Sequence, residues 1–600
     1  MTTALAMLTA LLATLVACIL PGWPLARRLV PQTTLLGAVV LSLTTIFSGC
    51  LALSFAGLRI GFLGLAPFQL TLFAVGLALL YRRPAALATT PTGGSIPRWI
   101  LALASLVGIL LLVRAWQQPL PGYDTCFRWE RLAQEVFSTG SIDYYPAQSA
   151  ADYAKYFYPD SVPPLVSLTY AEIYSLLHRV EPAATAWFIA LQGVLLAAVA
   201  MQLARIWGGP RADDAALLAV CASPLLFWWV LMGQETGLTA LSLGATLLWL
   251  ERSAQSGRNA EVVLAGLALG LGAASREYGG AFVVAGLIAA VGLRIGWRRT
   301  LLYLAAAAFV AAPWYGRVWL RTGNPVYPLQ VGSLFPFSAV HEMMFDELRR
   351  QFAWSVLSNR ERLRVAYQLL QLAPIALIGG VGGLWLLRRR APWAIAGVLI
   401  SLALWLYGMG VVAGGTYISL RMLSPALVLL AAAAGVALAR GRNASRWIAA
   451  AGAGGCLLLP NLLTMPLMAK SVPPGQWFKA FTASPPLAAV TPGERLILDL
   501  PGKILSDDPY VHSWIADRGA GAKVVPVWSG EFSFLFNPKL SVGEQLARLR
   551  AANVHTVVLW PDSVIASRYL LRQPWAARVR AEWPEVAPGY FHDRSATTPH

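Results

Sequence analysis

The organisation of this chain depends on one polar stretch, residues 122–164, which reads GYDTCFRWERLAQEVFSTGSIDYYPAQSAADYAKYFYPDSVPP. It lies between strongly apolar segments and is far longer than an ordinary connection between helices. Its pattern predicts an amphipathic helix over 127–139, ended by Gly140, and a rigid close at Pro163 and Pro164. Long loops held by a rigid scaffold usually carry function. We therefore expect the functional residues to gather around this stretch.

Composition predicts a membrane protein. Of the 600 residues, 57% are hydrophobic and only 13% are charged, and the mean hydropathy is +0.58. These values exclude a soluble globular chain and indicate a polytopic membrane protein. The five cysteines are dispersed, and only Cys126 lies in a polar segment. Their pattern indicates neither a disulfide framework nor a clustered metal site.

The apolar runs predict a mainly α fold, a polytopic transmembrane helix bundle. The run at 4–20 lacks a basic region before it and a clear cleavage site, so we expect a retained helix and not a signal peptide. About fourteen segments are long and apolar enough to be spans. They lie near 3–22, 33–57, 61–81, 99–117, 183–204, 214–231, 237–250, 260–275, 279–293, 300–319, 367–387, 391–412, 418–439 and 447–468.

The positive charge of the chain is explained by topology. The net charge is +18, but the arginines fall mostly in short connections between alternate spans. Such connections belong on the cytoplasmic side, so we expect no nucleic-acid partner. The outer side then carries a first large loop at 118–182, a second at 321–366, and everything after residue 469. These loops are predicted to include juxtamembrane helices.

The sequence becomes typical of a soluble domain after residue 468. Prolines mark a linker, and β-rich runs follow at 495–500, 523–528 and 555–560, with helical patterns near 508–518 and 541–552. This alternation predicts a small outer-side α/β domain at 488–600 with parallel strand pairing. A phosphate-binding loop of the G-x-G-x-x-G type does not follow any of these strands, which argues against nucleotide binding.

Asp124 is the first candidate for chemistry, because it lies where a predicted span meets water. An ionised carboxylate there can accept a proton from an incoming hydroxyl. The competing interpretation is that Asp124 or Thr125 simply caps the following helix. Neighbouring Tyr123 and Arg128 are candidate substrate-binding residues.

A second group of candidates ends the same loop. Lys155, Tyr156, Tyr158 and Asp160 offer a cation, phenols and a carboxylate just before the prolines, and they could flank a phosphate. The ordinary alternative is an interfacial aromatic belt with a snorkelling lysine, and the spacing does not decide between the two.

Further charged residues fall on the predicted outer side. Glu235 lies in a polar connection, and Arg276 precedes Glu277, with which it could form a purely structural ion pair. Arg421 follows Tyr417 and lies one turn inside a predicted span, where an arginine needs an anionic partner or water. A lipid phosphate would supply that anion.

These motifs together resemble the GT-C superfamily of integral-membrane glycosyltransferases, in particular the bacterial protein mannosyltransferase and aminoarabinose transferase group. The resemblance rests on the acid that opens the first large outer loop and on four further features in a fixed order along the chain. They are the juxtamembrane helices, Tyr-Pro-Asp-Ser-Val-Pro-Pro-Leu at 158–165, Arg-Thr-Gly-Asn-Pro-Val-Tyr-Pro at 321–328, and Arg-Met-Leu-Ser-Pro at 421–425. Two features depart from the pattern: three spans precede the one that enters the loop, and the acid is single.

The resemblance implies a catalytic membrane domain over residues 1–470 that transfers a sugar from a polyprenyl phosphate to an acceptor hydroxyl. Asp124 would act as the base and Glu235 as a second acid; Lys155, Arg276 and Arg421 would bind the donor phosphate. Substrate-binding roles are expected for Tyr123, Arg128, Tyr158, Asp160 and Tyr417.

The resemblance also implies partners and a location. The acceptor would be a lipid, glycan or protein in the cell envelope, membrane lipids would surround the enzyme, and a divalent metal is possible but not certain as a cofactor. The expected location is the bacterial inner membrane, with the site and the C-terminal domain on the periplasmic side.

Two other functions are compatible with a multi-span chain. One is a transporter or flippase of a lipid-linked glycan, in which charges line a path through the membrane. The sequence argues against it, because the polar residues gather at one surface and matching Gly/Pro-interrupted spans are not found in the two halves. The other is a non-catalytic scaffold, for which Asp124, Glu235 and Arg421 would be dispensable.

Overall fold

The computed structural model of the chain describes residues 3–82, 98–117, 119–120, 124–411, 418–441, 445–446, 449–450, 498–516, 519–560 and 568–594. Each span predicted before residue 440 coincides with helix, whereas the predicted span 447–468 lies almost entirely outside the described residues. The helices of the membrane part are α1 (Thr3–Cys18), α2 (Trp23–Leu29), α3 (Thr34–Phe55), α4 (Phe62–Arg82), α5 (Arg98–Gln117), α8 (Leu165–Leu177), α9 (Ala186–Gly208), α10 (Ala212–Cys221), α11 (Pro224–Leu231), α12 (Thr236–Ser256), α13 (Asn259–Ser275), α14 (Val283–Gly292), α15 (Trp297–Thr322), α17 (Asn359–Leu372), α18 (Gly380–Leu387), α19 (Pro392–Gly408) and α20 (Ser424–Ala439).

The number of membrane crossings is smaller than the number of apolar helices. By length and composition, six helices of the described chain can cross a membrane, or up to nine spans if each of three bent helix pairs is one span. The expectation of about fourteen spans counted every apolar run. Several of those runs are shorter helices, and α10 and α11 meet at an angle of 61°. A bend at Pro224 divides one predicted span into two pieces.

Small residues let the central helices approach each other closely. On α13, a Cβ atom added to Gly266 would lie 2.3 Å from the backbone oxygen of Tyr303 on α15. One turn later, a Cβ atom on Gly270 would lie 2.7 Å from the backbone oxygen of Ala307. This i, i+4 glycine pair allows direct backbone contact between the helices, as in other membrane bundles.

Short helices lie in the two predicted outer loops: α6 (Glu130–Thr139), α7 (Ala150–Lys155) and α16 (Ala339–Phe352). The predicted helix at 127–139 is confirmed, and Gly140 ends it with a φ of 68°. Arg317 of α15 fastens the first loop to the bundle, because its guanidinium donates to the backbone oxygens of Ile142 and Tyr145, at 2.8 and 3.3 Å. The expected juxtamembrane helices are therefore present.

The C-terminal region contains a five-stranded mixed sheet of order β2-β1-β3-β5-β4. Its strands are β1 (Lys503–Ser506), β2 (Val524–Pro526), β3 (Val554–Val558), β4 (Glu585–Ala587) and β5 (Tyr590–His592), and its helices are α21 (Pro509–Ala516), α22 (Val542–Ala551), α23 (Arg568–Leu571) and α24 (Pro574–Glu582). β1 pairs in parallel with both β2 and β3, as the alternation of helices and strands predicts.

Two details of the predicted sheet are wrong. Of the predicted strand at 495–500, the structure describes residues 498–500, which are not in a strand; the first described strand begins at Lys503, after a turn through Gly502 with a φ of 74°. The antiparallel pair β4 and β5 was not predicted. Each has only three residues, which is too short for an alternating pattern to stand out.

The C-terminal region shares its hydrophobic core with the outer loops. Tyr153 and Phe157 of the first loop, and Val340, Met344 and Leu348 of α16, belong to the same buried cluster as strands β1 and β3. The sheet is therefore seated on the loops that carry the predicted site.

Candidate active site

Asp124 lies immediately before a wide helical turn at Thr125–Trp129 that leads into α6. Thr125 Oγ1 donates to the backbone oxygen of Met232 at 3.0 Å, which fixes this turn to the connection before α12. The side chain of Asp124 makes no capping hydrogen bond. Its Oδ2 atom instead accepts from Arg128 Nη1 at 3.3 Å. The capping interpretation is therefore wrong for the Asp124 side chain.

Arg421 brings a distant part of the chain to the same carboxylate. It lies in a single helical turn, Leu420–Leu423, at the start of α20, and its side chain is 3% exposed. Its Nη2 atom is 3.4 Å from Asp124 Oδ2, and its Nε is 3.7 Å from Glu235 Oε1. Nη1 also donates to Gln234 Oε1. One guanidinium thus joins both predicted acids.

Glu235 is completely buried at the residue before α12. Tyr278 donates its hydroxyl to Glu235 Oε1 at 3.4 Å, whereas Oε2 accepts no hydrogen bond from any residue that the structure describes. A buried carboxylate oxygen without a donor is costly. The Oε2 atom of Glu235 is therefore available to a hydrogen-bond donor.

Asp160 serves a different purpose from Asp124. Its Oδ2 atom accepts from Arg128 Nε at 2.5 Å, and its Oδ1 accepts from the hydroxyls of Tyr145 and Tyr156, at 2.9 and 3.0 Å. Burial disfavours the charged guanidinium of Arg128, but Asp160 and Asp124 outweigh that cost and raise its pKa. Both oxygens of Asp160 are engaged, so this carboxylate positions Arg128.

Five residues therefore form one arginine–carboxylate cluster: Asp124, Arg128, Asp160, Glu235 and Arg421. Arg276 lies beside it. Its guanidinium and that of Arg128 are both over the Trp129 ring, at 5.6 and 5.3 Å from the centroid, and its Nε is 3.3 Å from Glu277 Oε2. The Nη1 atom of Arg276 has no hydrogen-bond partner in the described part of the chain. The internal pair with Glu277 leaves this end of Arg276 available.

Tyr158 connects the cluster to the C-terminal region. The Arg128 guanidinium lies 4.7 Å from the centroid of the Tyr158 ring, and the Trp528 ring lies edge-on at 5.6 Å. Trp528 donates its indole N–H to the backbone oxygen of Phe157 at 3.2 Å. Burial raises the pKa of Tyr158 to about 12, so its hydroxyl stays neutral. The sheet therefore supports the loop directly behind Arg128.

Lys155 is placed differently from the other described candidates. Lys155 is exposed at the end of α7, and its ammonium lies over the Tyr144 ring, 5.3 Å from the centroid. This contact fits the ordinary alternative, in which Lys155 is a snorkelling lysine beside interfacial aromatic residues. Tyr123 and Tyr417 lie outside the described residues.

Other contributors were missed in the sequence. Gln234, Trp129 and Tyr145 each contact an arginine or a carboxylate of the cluster. Gln234 precedes Glu235 in a polar connection between two apolar runs, which was a usable signal. The sequence around Trp129 and Tyr145 does not distinguish them from ordinary buried aromatic residues.

The described part of the site does not contain a group of metal ligands. Among the described residues, no three His, Cys, Asp or Glu side chains converge in a way that could hold an ion. Asp124 and Asp160 instead pair with arginines. The positive charge of the described site lies on these guanidiniums.

Comparison with known families supports the enzyme class. Residues 161–318 match the model of a family described as dolichyl-phosphate-mannose-protein mannosyltransferase. The matched part includes Glu235 and Arg276 and leaves out Asp124 and Arg421. The resemblance to GT-C glycosyltransferases and the predicted class, a polyprenyl-phosphate-sugar-dependent glycosyltransferase, are confirmed. No curated protein matches the chain at a significant level.

Solved structures give likenesses at low identity. ArnT from Cupriavidus metallidurans bound to undecaprenyl phosphate is 20% identical, with 81% of this chain and 86% of that chain covered and a TM-score of 0.46. Its apo form is 18% identical, with 81% of this chain and 81% of that chain covered and a TM-score of 0.45. The Archaeoglobus fulgidus oligosaccharyltransferase in its apo form is 14% identical, with 76% of this chain and 69% of that chain covered and a TM-score of 0.42. All three likenesses are too distant to carry an argument about individual residues.

Proposed function

We propose that this glycosyltransferase moves a sugar from a polyprenyl phosphate to an acceptor hydroxyl, with Asp124 as the base. The observation that carries the proposal is the position of Asp124 between Arg128 and Arg421, whose Nη1 and Nη2 atoms lie 3.3 and 3.4 Å from its Oδ2. Transfer at an anomeric carbon needs a base on one side and positive charge for the phosphate leaving group on the other. This pair of contacts supplies both within one site.

The ion pairs suggest how the donor prepares the base. Within the described residues, every hydrogen bond to the Asp124 carboxylate goes to Oδ2, which leaves Oδ1 for an acceptor hydroxyl. A donor phosphate carries negative charge and competes with Asp124 for Arg421. Donor binding would therefore draw Arg421 from the carboxylate and leave Asp124 ready to accept a proton.

The reaction then balances without a further reactant. Asp124 accepts the proton of the acceptor hydroxyl while the acceptor oxygen bonds to the anomeric carbon. The bond between that carbon and the phosphate oxygen breaks, and polyprenyl phosphate leaves with the electron pair. Arg421 and Arg276 stabilise the phosphate, and Glu235, joined to Arg421 at 3.7 Å, holds that guanidinium in place. Lys155 has no contact that supports a part in this step.

Substrate-binding roles for Arg128 and Tyr158 are supported by their stacking, since Tyr158 limits the movement of the guanidinium beside Asp124. The acceptor would be a lipid, glycan or protein hydroxyl of the cell envelope. The site would face the outer side of a bacterial inner membrane, because the basic connections mark the opposite side.

A direct experiment tests the function. Purified protein is incubated with polyprenyl-phosphate sugars extracted as a pool from the membranes of the producing cells, together with a cell-envelope fraction. The proposal predicts release of polyprenyl phosphate that depends on the envelope fraction. Transport of the intact lipid-linked sugar across a vesicle, with no release of polyprenyl phosphate, would support the flippase alternative instead.

A further inference from the structure

A basic cavity of about 710 Å³ lies apart from the arginine–carboxylate cluster. It is formed where α9 and α12 end and α13 begins, next to the short connection between α2 and α3. Three arginines, three glutamines, one serine and one glutamate account for its polar lining. Its lining residues are Pro31, Gln32, Gln202, Arg205, Ile206, Arg252, Gln255, Ser256, Arg258 and Glu261.

The cavity lies at the opposite membrane face from the proposed active site. Glu235 immediately precedes α12, and Arg252 and Ser256 lie in its last two turns. A helix of 21 residues is about 30 Å long, which is the thickness of the hydrocarbon core. The two sites are therefore separated by about one membrane thickness.

One of the three arginines is fixed by neighbouring side chains. Arg252 donates from Nη1 to Gln202 Oε1 at 3.3 Å and from Nη2 to Gln32 Oε1, and its Nε lies 3.5 Å from Glu261 Oε1. Ser256 donates to the other oxygen of Glu261. The single carboxylate of the lining thus contacts both Arg252 and Ser256.

Arg205 and Arg258 are the other two arginines of the lining. Arg205 lies 3.9 Å from Asp213 Oδ2, a long ion pair, and its side chain is 38% exposed. Arg258 is half-buried, and its backbone N–H donates to Ser256 Oγ at 3.1 Å. Their position on two different helix ends places two cations around one polar cavity.

Membrane orientation alone does not account for this arrangement. The positive-inside rule requires arginines in these connections, but it does not require them to converge with glutamines on one cavity. Other basic residues of the same face, such as Arg389, do not line the cavity. Arg389 is on the same face as the cavity, because its neighbour Arg390 donates to the backbone oxygens of Trp207 and Ile206 at the end of α9, both at 2.9 Å.

We propose that the basic cavity binds a phosphate group. Phosphate oxygens accept hydrogen bonds from the N–H groups of guanidiniums and amides. Basic pockets between membrane helices bind anionic lipid headgroups. The phosphate can belong to the headgroup of an anionic lipid or to inorganic phosphate.

The experiment uses the full-length protein with two probes. Dioleoyl phosphatidic acid is added to protein in phosphatidylcholine nanodiscs, and the lipid retained on detergent extraction is counted by native mass spectrometry. Inorganic phosphate is added separately, and the melting temperature is recorded with sulfate-free chloride as the reference. The variants are Arg205→Gln with Arg258→Gln, and Arg389→Gln as a matched control that removes a charge from the same face. Unchanged melting temperatures without either probe show that the variants fold.

The outcomes separate the two sources. Retention of phosphatidic acid that falls about tenfold or more in the double variant, but not in Arg389→Gln, supports a lipid headgroup. A phosphate-dependent rise in melting temperature that is lost in the double variant supports free phosphate. Binding of both probes that is equal in all three proteins, or that falls equally in Arg389→Gln, would overturn the proposal.

Discussion

Arg421 and Asp124 are 297 residues apart in the chain, yet Arg421 Nη2 lies 3.4 Å from Asp124 Oδ2 in a largely buried ion pair. This pair closes the proposed site, because it links the first outer loop to the start of α20. Removing one partner of a buried pair leaves an uncompensated charge. The same guanidinium contacts Gln234 and Glu235, so the environment of Arg421 is also the environment of the proposed base.

Replacing Arg421 should impair both donor binding and turnover. Arg421→Lys keeps the positive charge but loses the planar fork that reaches Asp124 and Gln234 together. We expect KM for the polyprenyl-phosphate sugar to rise and kcat to fall, since the phosphate is bound in both the ground and transition states. Initial rates over a donor series measure both. A variant with lower kcat and unchanged KM would show that Arg421 does not bind the donor.

Asp160 should matter for the loop and not as a base. Asp160→Asn removes the charge that holds Arg128 at 2.5 Å, and we expect it to lower the free energy of unfolding by about 1–3 kcal/mol. Tyr156→Phe, which removes one of two hydroxyls from Oδ1, should cost about 1 kcal/mol. Thermal unfolding of both variants measures the difference. Equal stability of Asp160→Asn and the unaltered protein would refute the positioning role.

The C-terminal sheet should affect the reaction through Trp528. Trp528→Ala removes both the ring against Tyr158 and the hydrogen bond to Phe157, so Arg128 loses its support. Trp528→Phe is the matched control, because it keeps a ring and loses the indole N–H. We expect transfer to fall severalfold in the alanine variant and to stay near normal in the phenylalanine variant. Equal rates in both variants would mean that the sheet plays no part in the site.

Acid should loosen the contact between this sheet and the outer loops. Burial lowers the pKa of His341 and of His512 from 6.5 to about 3, so both are neutral when folded. His341 stacks on Trp528, and His512 stacks on Phe157. As the pH falls below 6.5, these histidines bind protons in the unfolded protein but not in the folded one. The free energy of unfolding therefore has its full value above pH 6.5 and decreases by about 1.4 kcal/mol per pH unit for each histidine toward pH 3.

The pH dependence has its own control. His341→Phe keeps a ring between Tyr158 and Trp528 and cannot be protonated. Its melting temperature should decrease less than that of the unaltered protein between pH 7 and pH 5. Parallel curves for the two proteins would show that His341 is not buried in its neutral form.

The sequence predicted the helices and most of the charged residues that the structure brings together at the candidate site. Apolar runs have a length and composition that predict membrane helices, and charged residues next to such runs stand out. Asp124, Glu235 and Arg421 were proposed from that contrast, and the structure brings their side chains together. Lys155 was proposed in the same way, and it lies over the Tyr144 ring, since a snorkelling lysine has the same sequence pattern.

Other parts of the molecule depend on contacts between distant residues. The single core shared by Phe157, Met344 and strand β1 cannot be predicted from local pattern, because the three segments are far apart in the chain. Independent folding of 488–600 is therefore still a prediction, and the shared core argues that the loops stabilise it. In the predicted strand at 495–500, the described residues 498–500 are not in a strand, because the strand lies in the next apolar run, Lys503–Ser506, beyond the turn at Gly502.

The most direct test of the account is the transfer rate of Asp124→Asn. The amide is nearly the same size and leaves Arg421 with its contacts to Gln234 and Glu235, but it cannot accept the proton. The account predicts a folded variant that binds undecaprenyl phosphate at least as tightly as the unaltered protein, because the phosphate no longer competes with the charge of Asp124 for Arg421. Its rate of transfer from the donor pool should fall about 100-fold or more. A near-normal rate in a variant that binds undecaprenyl phosphate would contradict the central claim and leave Glu235 as the candidate base.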